Sequence, residues 1–465
     1  MCGIAGILDF KNHFADETAI RPMTDAMAHR GPDATGFFAE GPIALGHLRL
    51  SIIDLSSAAN QPFTDASGRF VMVFNGEMYN YNQVKPLLPD YPFHTSGDTE
   101  VLLAAYAKWG PECLRHFRGM FALAIWDKKE KELFIARDRM GVKPLYYFMD
   151  HNRLIFASEV RGILATGLVP RKISHQALGD YFSFQSIGYP HSVIEGVLQL
   201  EAGSWAKIKG GTLTKQVYWD VTTNADAAAG FDFSDGQSVQ RRVRELMLTS
   251  IERRLVSDVP VGAFLSGGID SGAVVGLMAE AGTTQPNTFT ITFEEKEFDE
   301  SRYADIIAKK FNTRHTPILL RPKTFLDELT NALDALDTPS GDGINTYVVS
   351  KAIARQGMRV ALSGTGGDEL FAGYPIFSQY LRLNKARAWW TLPSALRKMA
   401  SRTAFAGRSG KKDRLRQLLQ TPAPSIGELY PIFRQILTPD FIGEMTTLEG
   451  NARHTDLRQE LQRKK

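Results

Sequence analysis

Hydrophobic and polar positions change over in short blocks through the first 220 residues and in longer blocks afterwards. In the early stretch, apolar runs end on tight polar turns: 70–74 before Asn75-Gly76, 121–126 before Asp127-Lys128-Lys129-Glu130, and 133–137 before Asp138-Arg139-Met140-Gly141. Runs of that length bounded by such turns predict strands. A helix-spaced stretch, 99–108, is interposed. Antiparallel sheets with covering helices are the expected result. Residues 221–230, rich in Thr, Asn, Ala and Asp and without periodicity, read as a linker.

Beyond the linker the period lengthens. Val239, Val243, Leu246, Met247, Ile251 and Leu255 fall at helical spacing behind an N-cap at Ser234 or Asp235. Residues 259–265 then predict a buried strand, 271–280 a helix and 288–293 a strand. A helix is expected over 299–311, with Tyr303, Ile306, Ile307 and Phe311 on one side, and a further strand over 359–363, running into glycines. Strands alternating with helices predict a parallel, doubly wound sheet. No internal repeat is visible.

Composition narrows the class. The chain has 465 residues, 43% of them hydrophobic and 23% charged, which excludes a largely disordered polymer. No apolar run approaches the roughly 18 residues of a membrane span. Neither a basic-then-apolar leader nor a disulfide framework is readable, since the only cysteines are Cys2 and Cys113. A cytoplasmic protein without a membrane partner is expected. The net charge of +3 is unevenly spread, with eleven Lys and Arg but one acid, Asp413, between Arg382 and Arg416. With Trp389 and Trp390 inside it, that stretch has the composition of a nucleic-acid or membrane surface. No spaced nucleic-acid motif accompanies it; a solvated helical surface or subunit contact is expected, with no nucleic-acid partner and a homodimer among the expected assemblies.

Cys2 is the first chemical signal. Removal of Met1 would set its thiol beside a free α-amine, whose reference pKa of about 7.7–8 makes it a usable base near neutrality. Nucleophile and general base would then come from one residue; alone, Cys2 reads equally as a small buried residue. Five further segments follow in order: His29-Arg30-Gly31-Pro32-Asp33, Leu48-Arg49-Leu50-Ser51-Ile52-Ile53-Asp54, Asn75-Gly76-Glu77 with Tyr79-Asn80, Gly97-Asp98-Thr99-Glu100, and the run from Ala136 to Tyr147, continued by Phe156-Ala157-Ser158-Glu159. With Met-Cys-Gly-Ile-Ala-Gly at the start, they resemble the class II (N-terminal nucleophile) glutamine amidotransferases, and most closely the glutamine-hydrolysing asparagine synthase family.

That resemblance implies an N-terminal αββα sandwich of the Ntn-hydrolase type over 2–220. It makes Cys2 the nucleophile, with Asn75 and Gly76 as the oxyanion hole. Arg49, Leu50, Ser51, Ile52, Ile53, Asn75, Gly76, Glu77 and Asp98 would bind glutamine, Arg49 on its carboxylate and Asp98 with Glu77 on its ammonium. His29 and His47 are left structural, because this mechanism needs no imidazole.

Residues 259–272 read as a strand, a glycine turn and a helix start, suited to phosphate. The Gly-Lys-Ser/Thr ending of a Walker loop is absent. Ser266-Gly267-Gly268-Ile269-Asp270-Ser271 resembles instead the pyrophosphate loop of enzymes that cleave ATP to AMP and pyrophosphate. A second segment, Ser363-Gly364-Thr365-Gly366-Gly367-Asp368-Glu369, resembles the family's Ser-Gly-acid-Gly-x-Asp-Glu. The resemblance implies ATP at Leu265, Ser266, Gly267, Gly268, Asp270, Ser271, Ile291, Ser363 and Gly364, with Mg2+ on Asp270 and Asp368.

A linker over 221–237 and a doubly wound ATP-pyrophosphatase domain of the adenine nucleotide α-hydrolase type over 238–465 complete the expected order. The second domain is expected to be shortened at its C-terminus, ending in a charged helical tail over 458–465. The expected activity is ATP-dependent amidation of a carboxylate, most simply aspartate, by ammonia passed along an interior path from glutamine. Thr365 departs from the family's acid, which leaves other acceptors open, such as a sugar acid or a secondary-metabolite carboxylate. A pseudo-enzyme that only binds ATP or glutamine is the reading of a different class.

Overall fold

The computed structural model describes residues 1–11, 16–223, 230–282, 285–295, 297, 299–404 and 410–445. Part of the expected linker and the charged tail over 458–465 lie outside the described residues. Contacts gather the chain into two compact units. One comprises Met1–Lys172, Ile194–Asp327 and Val349–Ser363; the other comprises Ile173–Val193, Glu328–Val348 and the described residues from Gly364 onward.

Twelve strands of the first unit precede the linker: β1 (Gly3–Asp9), β2 (Ala34–Glu40), β3 (Ile43–Arg49), β4 (Phe63–Thr64), β5 (Phe70–Glu77), β6 (Met120–Asp127), β7 (Glu132–Arg137), β8 (Tyr146–Met149), β9 (Arg153–Ala157), β10 (Val197–Gln199), β11 (Ser204–Lys209) and β12 (Thr212–Val217). They form two six-stranded antiparallel sheets, ordered β10-β8-β9-β1-β3-β2 and β12-β11-β7-β6-β5-β4. The sheets pack face to face through Ile4, Leu8, Ile43 and Leu45 on one side and Val71, Val73, Ala124 and Ile135 on the other. The opposite face of β5, carrying Phe70, Met72 and Phe74, packs with Val101, Leu102 and Tyr106 of the helix Asp98–Trp109. Both faces of β5 are therefore covered, which is why its sequence is one continuous apolar run rather than an alternation. The helix Glu17–Asp25 covers the other sheet with Ile20 and Met23. Helix, sheet, sheet and helix make the expected αββα sandwich.

After the linker the helix Gly236–Arg254 begins at Asp235, whose carboxylate accepts from Gln237 N (3.0 Å) and Ser238 N (3.3 Å). Four strands follow in this unit: β13 (Val261–Phe264), β14 (Asn287–Thr292), β15 (Arg314–Leu319) and β16 (Val360–Leu362). All pairings are parallel, in the order β15-β14-β13-β16. Strand order reverses between β13 and β16, and such a switch point is where open α/β sheets bind ligands.

In the second unit, helices Pro375–Lys385, Ser394–Ala404, Gly410–Gln420 and Ile426–Arg434 are packed in part around Leu418, Leu429 and Ile432. The basic stretch largely builds this unit. Trp389 Nε1 donates to Leu419 O (3.1 Å), Trp390 Nε1 to Thr421 O (3.1 Å), and buried Arg397 to Thr421 O (2.6 Å). Those carbonyls lie at the end of Gly410–Gln420, where helical acceptors lack partners. No helix among the described residues is long and apolar enough to cross a membrane.

Candidate active site

Cys2 enters β1, the strand between β9 and β3. The register Gly3↔Leu48 sets it beside the end of β3. Its Sγ accepts from Leu50 N (3.3 Å) and lies 3.6 Å from Leu50 O, while its carbonyl accepts from Arg30 Nε (2.9 Å). Burial pushes the thiol up, and it lowers the α-amine of Met1 to about 6.

Strand β5 delivers the next groups from the facing sheet. Asn75 is 1% exposed, and among the described residues neither its Oδ1 nor its Nδ2 has a hydrogen-bond partner. Gly76 lies opposite Phe121, whose N–H and C=O are both taken by Asp138. The pair therefore exchanges no hydrogen bonds, and the Gly76 N–H faces away from β6. Two residues earlier, the same edge gives the N–H and C=O of Phe74 to the side chain of Gln61. A Cβ on Gly76 would stand 2.2 Å from Met120 O, so only glycine fits there.

Asp98 sits in the first turn of its helix, 5% exposed, and accepts from Met78 N (2.8 Å). Burial raises its carboxyl to about 7, against the Met78 N–H and with help from the Glu77 charge. Glu77 is itself raised by burial. Arg49 turns into the loop that follows it, donating to Ser56 O (2.7 Å), Asn60 Oδ1 (2.6 Å) and Asp54 O. The guanidinium thus shapes the loop that walls the site.

These residues surround one cavity of about 270 Å³, at the small end of ligand pockets. Cys2 lines it, and of the glutamine-binding set so do Arg49, Leu50, Ile52, Ile53, Asn75, Gly76, Glu77 and Asp98. Ser51 does not; its N–H donates to Asp33 Oδ2 (2.8 Å), and it borders a neighbouring depression. His47 and His29 are structural. His47, held neutral by burial with its pKa lowered to about 4, meets Phe74 O (3.1 Å), and His29 pairs with Glu159. Sequence reasoning missed Lys143, Arg359, Val360 and Ala361 on the cavity wall. Lys143 was within the quoted motif, but nothing local distinguished it.

The wall loop is also tied to the parallel sheet of the same unit. Asp258 accepts from Asp54 N (2.7 Å) and donates its own N–H to Ile52 O (3.0 Å) just before β13. Arg359, at the foot of β16, pairs with Asp33 (2.6 Å). At the far end of β13, buried Leu265 leads into the glycine turn. Gly267 has φ +82°, and a Cβ there would meet Tyr303 Cβ at 2.7 Å. Ser271 Oγ accepts from Ser266 N (3.2 Å), folding the turn onto the start of Ile269–Glu280. That helix has no side-chain cap, and Asp270 stands in its first turn. Open N–H groups beside one carboxylate suit a Mg2+-bound phosphate, because Mg2+ takes few protein ligands and shares the rest with phosphate and water. Ile291 lies on β14 and Ser363 follows β16. Gly364 and Asp368 belong to the second unit, Asp368 in the first turn of Gly367–Phe371.

Comparison with known proteins finds two families along the chain. Residues 1–219 match the family described as glutamine amidotransferase domain, and residues 242–463 the family described as asparagine synthase. A protein of Methanocaldococcus jannaschii named as a glutamine-hydrolysing asparagine synthetase is 37% identical over 86% of this chain and 80% of its own length. Asparagine synthetase 1 of Bacillus subtilis is 35% identical over 86% of this chain. Amidase chry2 of Gibberella zeae is 32% identical over 81% of it. The chain spans 62% and 60%, respectively, of the length of these last two relatives. The chain belongs to the glutamine-hydrolysing asparagine synthetase family, ATP-dependent ligases that take their nitrogen from glutamine.

Proposed function

We propose that the cavity at Cys2 hydrolyses glutamine and that the parallel-sheet half uses ATP to amidate a carboxylate, most simply L-aspartate. The observation that carries the reading is Asn75: a buried amide without a partner, in the cavity that holds Cys2. Such a group is costly in a folded protein and is accounted for if a ligand completes it. With Met1 removed, the α-amine takes the proton of Sγ, and the thiolate attacks the glutamine amide carbon. The oxygen that gains charge is met by Asn75 Nδ2 and the Gly76 N–H. The ammonium so formed returns its proton to the leaving nitrogen, giving ammonia and a thioester that water cleaves to glutamate.

Glutamine's own ammonium would sit against Asp98. Because the empty pocket holds that carboxyl near pKa 7, glutamine binding should weaken as pH falls through about 7, by up to about tenfold per unit. Asp98→Asn should raise KM for glutamine more than it lowers kcat, since the lost charge binds a part that does not react. It should also flatten the pH dependence of KM. A pure kcat defect would remove Asp98 from the substrate clamp.

Ammonia would leave toward Val360 and Ala361, which line the cavity on the strand leading to Ser363. Asp270 would hold Mg2+, which when bound offsets charge on the departing pyrophosphate. Thr365 favours a second reading of the acceptor, because threonine offers neither the charge nor the base of a carboxylate; the amidase-named relative points the same way. One experiment separates the two: glutamine labelled in its amide nitrogen, with ATP-Mg and a panel of carboxylic acids. Labelled asparagine with AMP and pyrophosphate is expected for aspartate. A labelled amide on another acid alone would move the acceptor, and no labelled amide on any acid would reject the ligase reading.

A further inference from the structure

Lys143 is the least explained charge in the site. The loop that carries it is fixed from several sides: Asp138 accepts from the N–H groups of Phe121, Met140, Val142 and Lys143, and Arg137 Nε donates to Lys143 O (2.8 Å). Its side chain is 4% exposed and lines the cavity with Cys2, Asn75 and Glu77. Among the described residues its ammonium forms no ion pair, and its one hydrogen-bond partner is the thioether of Met1, 3.0 Å away. A thioether is a weak acceptor, and this one leaves with Met1. The processed chain would thus hold a buried ammonium facing the space left by the Met1 side chain, on the cavity wall it shares with Cys2. Unpaired buried charge is unfavourable enough to be uncommon away from functional sites.

Other charged groups stand around the N-terminal residue. Arg30 touches Cys2 O and acts on the amine in the same direction as Lys143, but its guanidinium is paired with Glu159 at 2.7 Å. Glu77, at the end of β5, opposes Lys143, and burial raises its carboxyl. Asp98 is raised likewise and is turned to Met78 N. Asp138 is spent on backbone N–H groups. Lys143 feels the Glu77 charge but, among the described residues, has no carboxylate within 4.0 Å.

We propose that Lys143 is a positioning residue for Cys2: a fixed cation that keeps the N-terminal amine a free base, so that it can take the thiol proton. The inference rests on the glutaminase reading above. Lys143 acts as a charge and not as the base; burial lowers its own pKa, and the Glu77 charge opposes that shift. A cation beside an amine disfavours its ammonium form, and the same cation favours the thiolate. Both effects act in the direction the nucleophile needs. Burial opposes them at the thiol, which it raises; at the α-amine of Met1, present before processing, burial and Lys143 act in the same direction.

The test uses the full chain with Met1 removed, checked by intact mass, as the parent and as Lys143→Met and Lys143→Arg. In Lys143→Met the acid limb of kcat/KM for glutamine should move up by about one pH unit, costing about tenfold below the limb and little well above it. Lys143→Arg should return the limb to its place. A loss equal at every pH, or a limb that arginine does not restore, overturns the proposal in favour of plain packing. Lys143→Gln replaces Lys143→Met if the latter lowers the melting temperature. A second readout needs no turnover: alkylation of Cys2 by iodoacetamide against pH, followed on the N-terminal peptide by mass spectrometry. Its midpoint should rise in Lys143→Met and recover in Lys143→Arg. If the parent hydrolyses no glutamine, the glutaminase reading fails, and an unshifted alkylation midpoint separately rejects the role of Lys143.

Discussion

Cys2→Ala is expected to abolish glutamine hydrolysis, by at least about 10⁴-fold, because loss of a covalent nucleophile removes the reaction path and not merely part of its stabilisation. The fold should hardly notice. The thiol's contacts are Leu50 N at 3.3 Å and Leu50 O at 3.6 Å, weak sulfur interactions whose loss stays near the ordinary range of surface substitutions, about 0.5 kcal/mol. Amide formation should survive when ammonia is supplied in solution, since the nucleotide turn lies on β13 and not in the cavity. A chain keeping an N-terminal extension should fail in the same way, because an amide nitrogen at Cys2 cannot take the thiol proton. Glutamate release, ammonia-driven amide formation and the melting temperature, measured on one preparation, decide the matter. Hydrolysis within tenfold of the parent would remove Cys2 from the chemistry. Equal loss of the ammonia-driven reaction would mean that the two activities are not separable.

What the sequence made legible follows from how far each signal travels along the chain. Strands β5, β6 and β7 are covered on both faces and bounded by polar turns, so local composition alone marks them. Asp235 as an N-cap and the helix Gly236–Arg254 are equally local. Strand β15 went unseen because it is an edge strand with Pro317 in it, where neither alternation nor a buried run is required. The helix Glu17–Asp25 carries Pro22, which obscures its period. At the site, Cys2, Asn75-Gly76 and Asp98 stand in short motifs that resemble those of a known family, and the resemblance singles them out. Arg359 does not: its partner Asp33 is 326 residues away, and only folding brings them together. Lys143 was hidden for a different reason, since its interest is burial without a close ion pair among the described residues, which no linear pattern records. The break in rhythm over 221–237 separates antiparallel from parallel architecture, yet Asp258 and Arg359 reach back across it to the wall of the Cys2 cavity.

Asn75→Ala should separate stability from activity most sharply. In the folded protein, the side chain of Asn75 is buried with both polar atoms unpaired, so it contributes desolvation cost without the hydrogen bonds that usually offset it. Alanine removes that cost and leaves a small void, and the two effects oppose each other. The melting temperature should therefore stay level or rise, where truncation of a well-paired buried asparagine would lower it. Activity should go the other way. The amide Nδ2 meets the substrate oxygen only as that oxygen gains charge, so its loss falls on kcat, by about 10²–10³, with KM for glutamine little changed. Asn75→Asp tests the sign of the same argument. It keeps the shape of the side chain but offers acceptors where a donor is needed, and a carboxylate facing an oxyanion should be at least as inactive as alanine. Taken together, a chain that is no less stable and far slower at unchanged KM is what an oxyanion donor predicts. A variant that unfolds readily, or that loses glutamine binding with kcat intact, would make Asn75 a structural residue and would withdraw the observation on which the glutaminase reading stands.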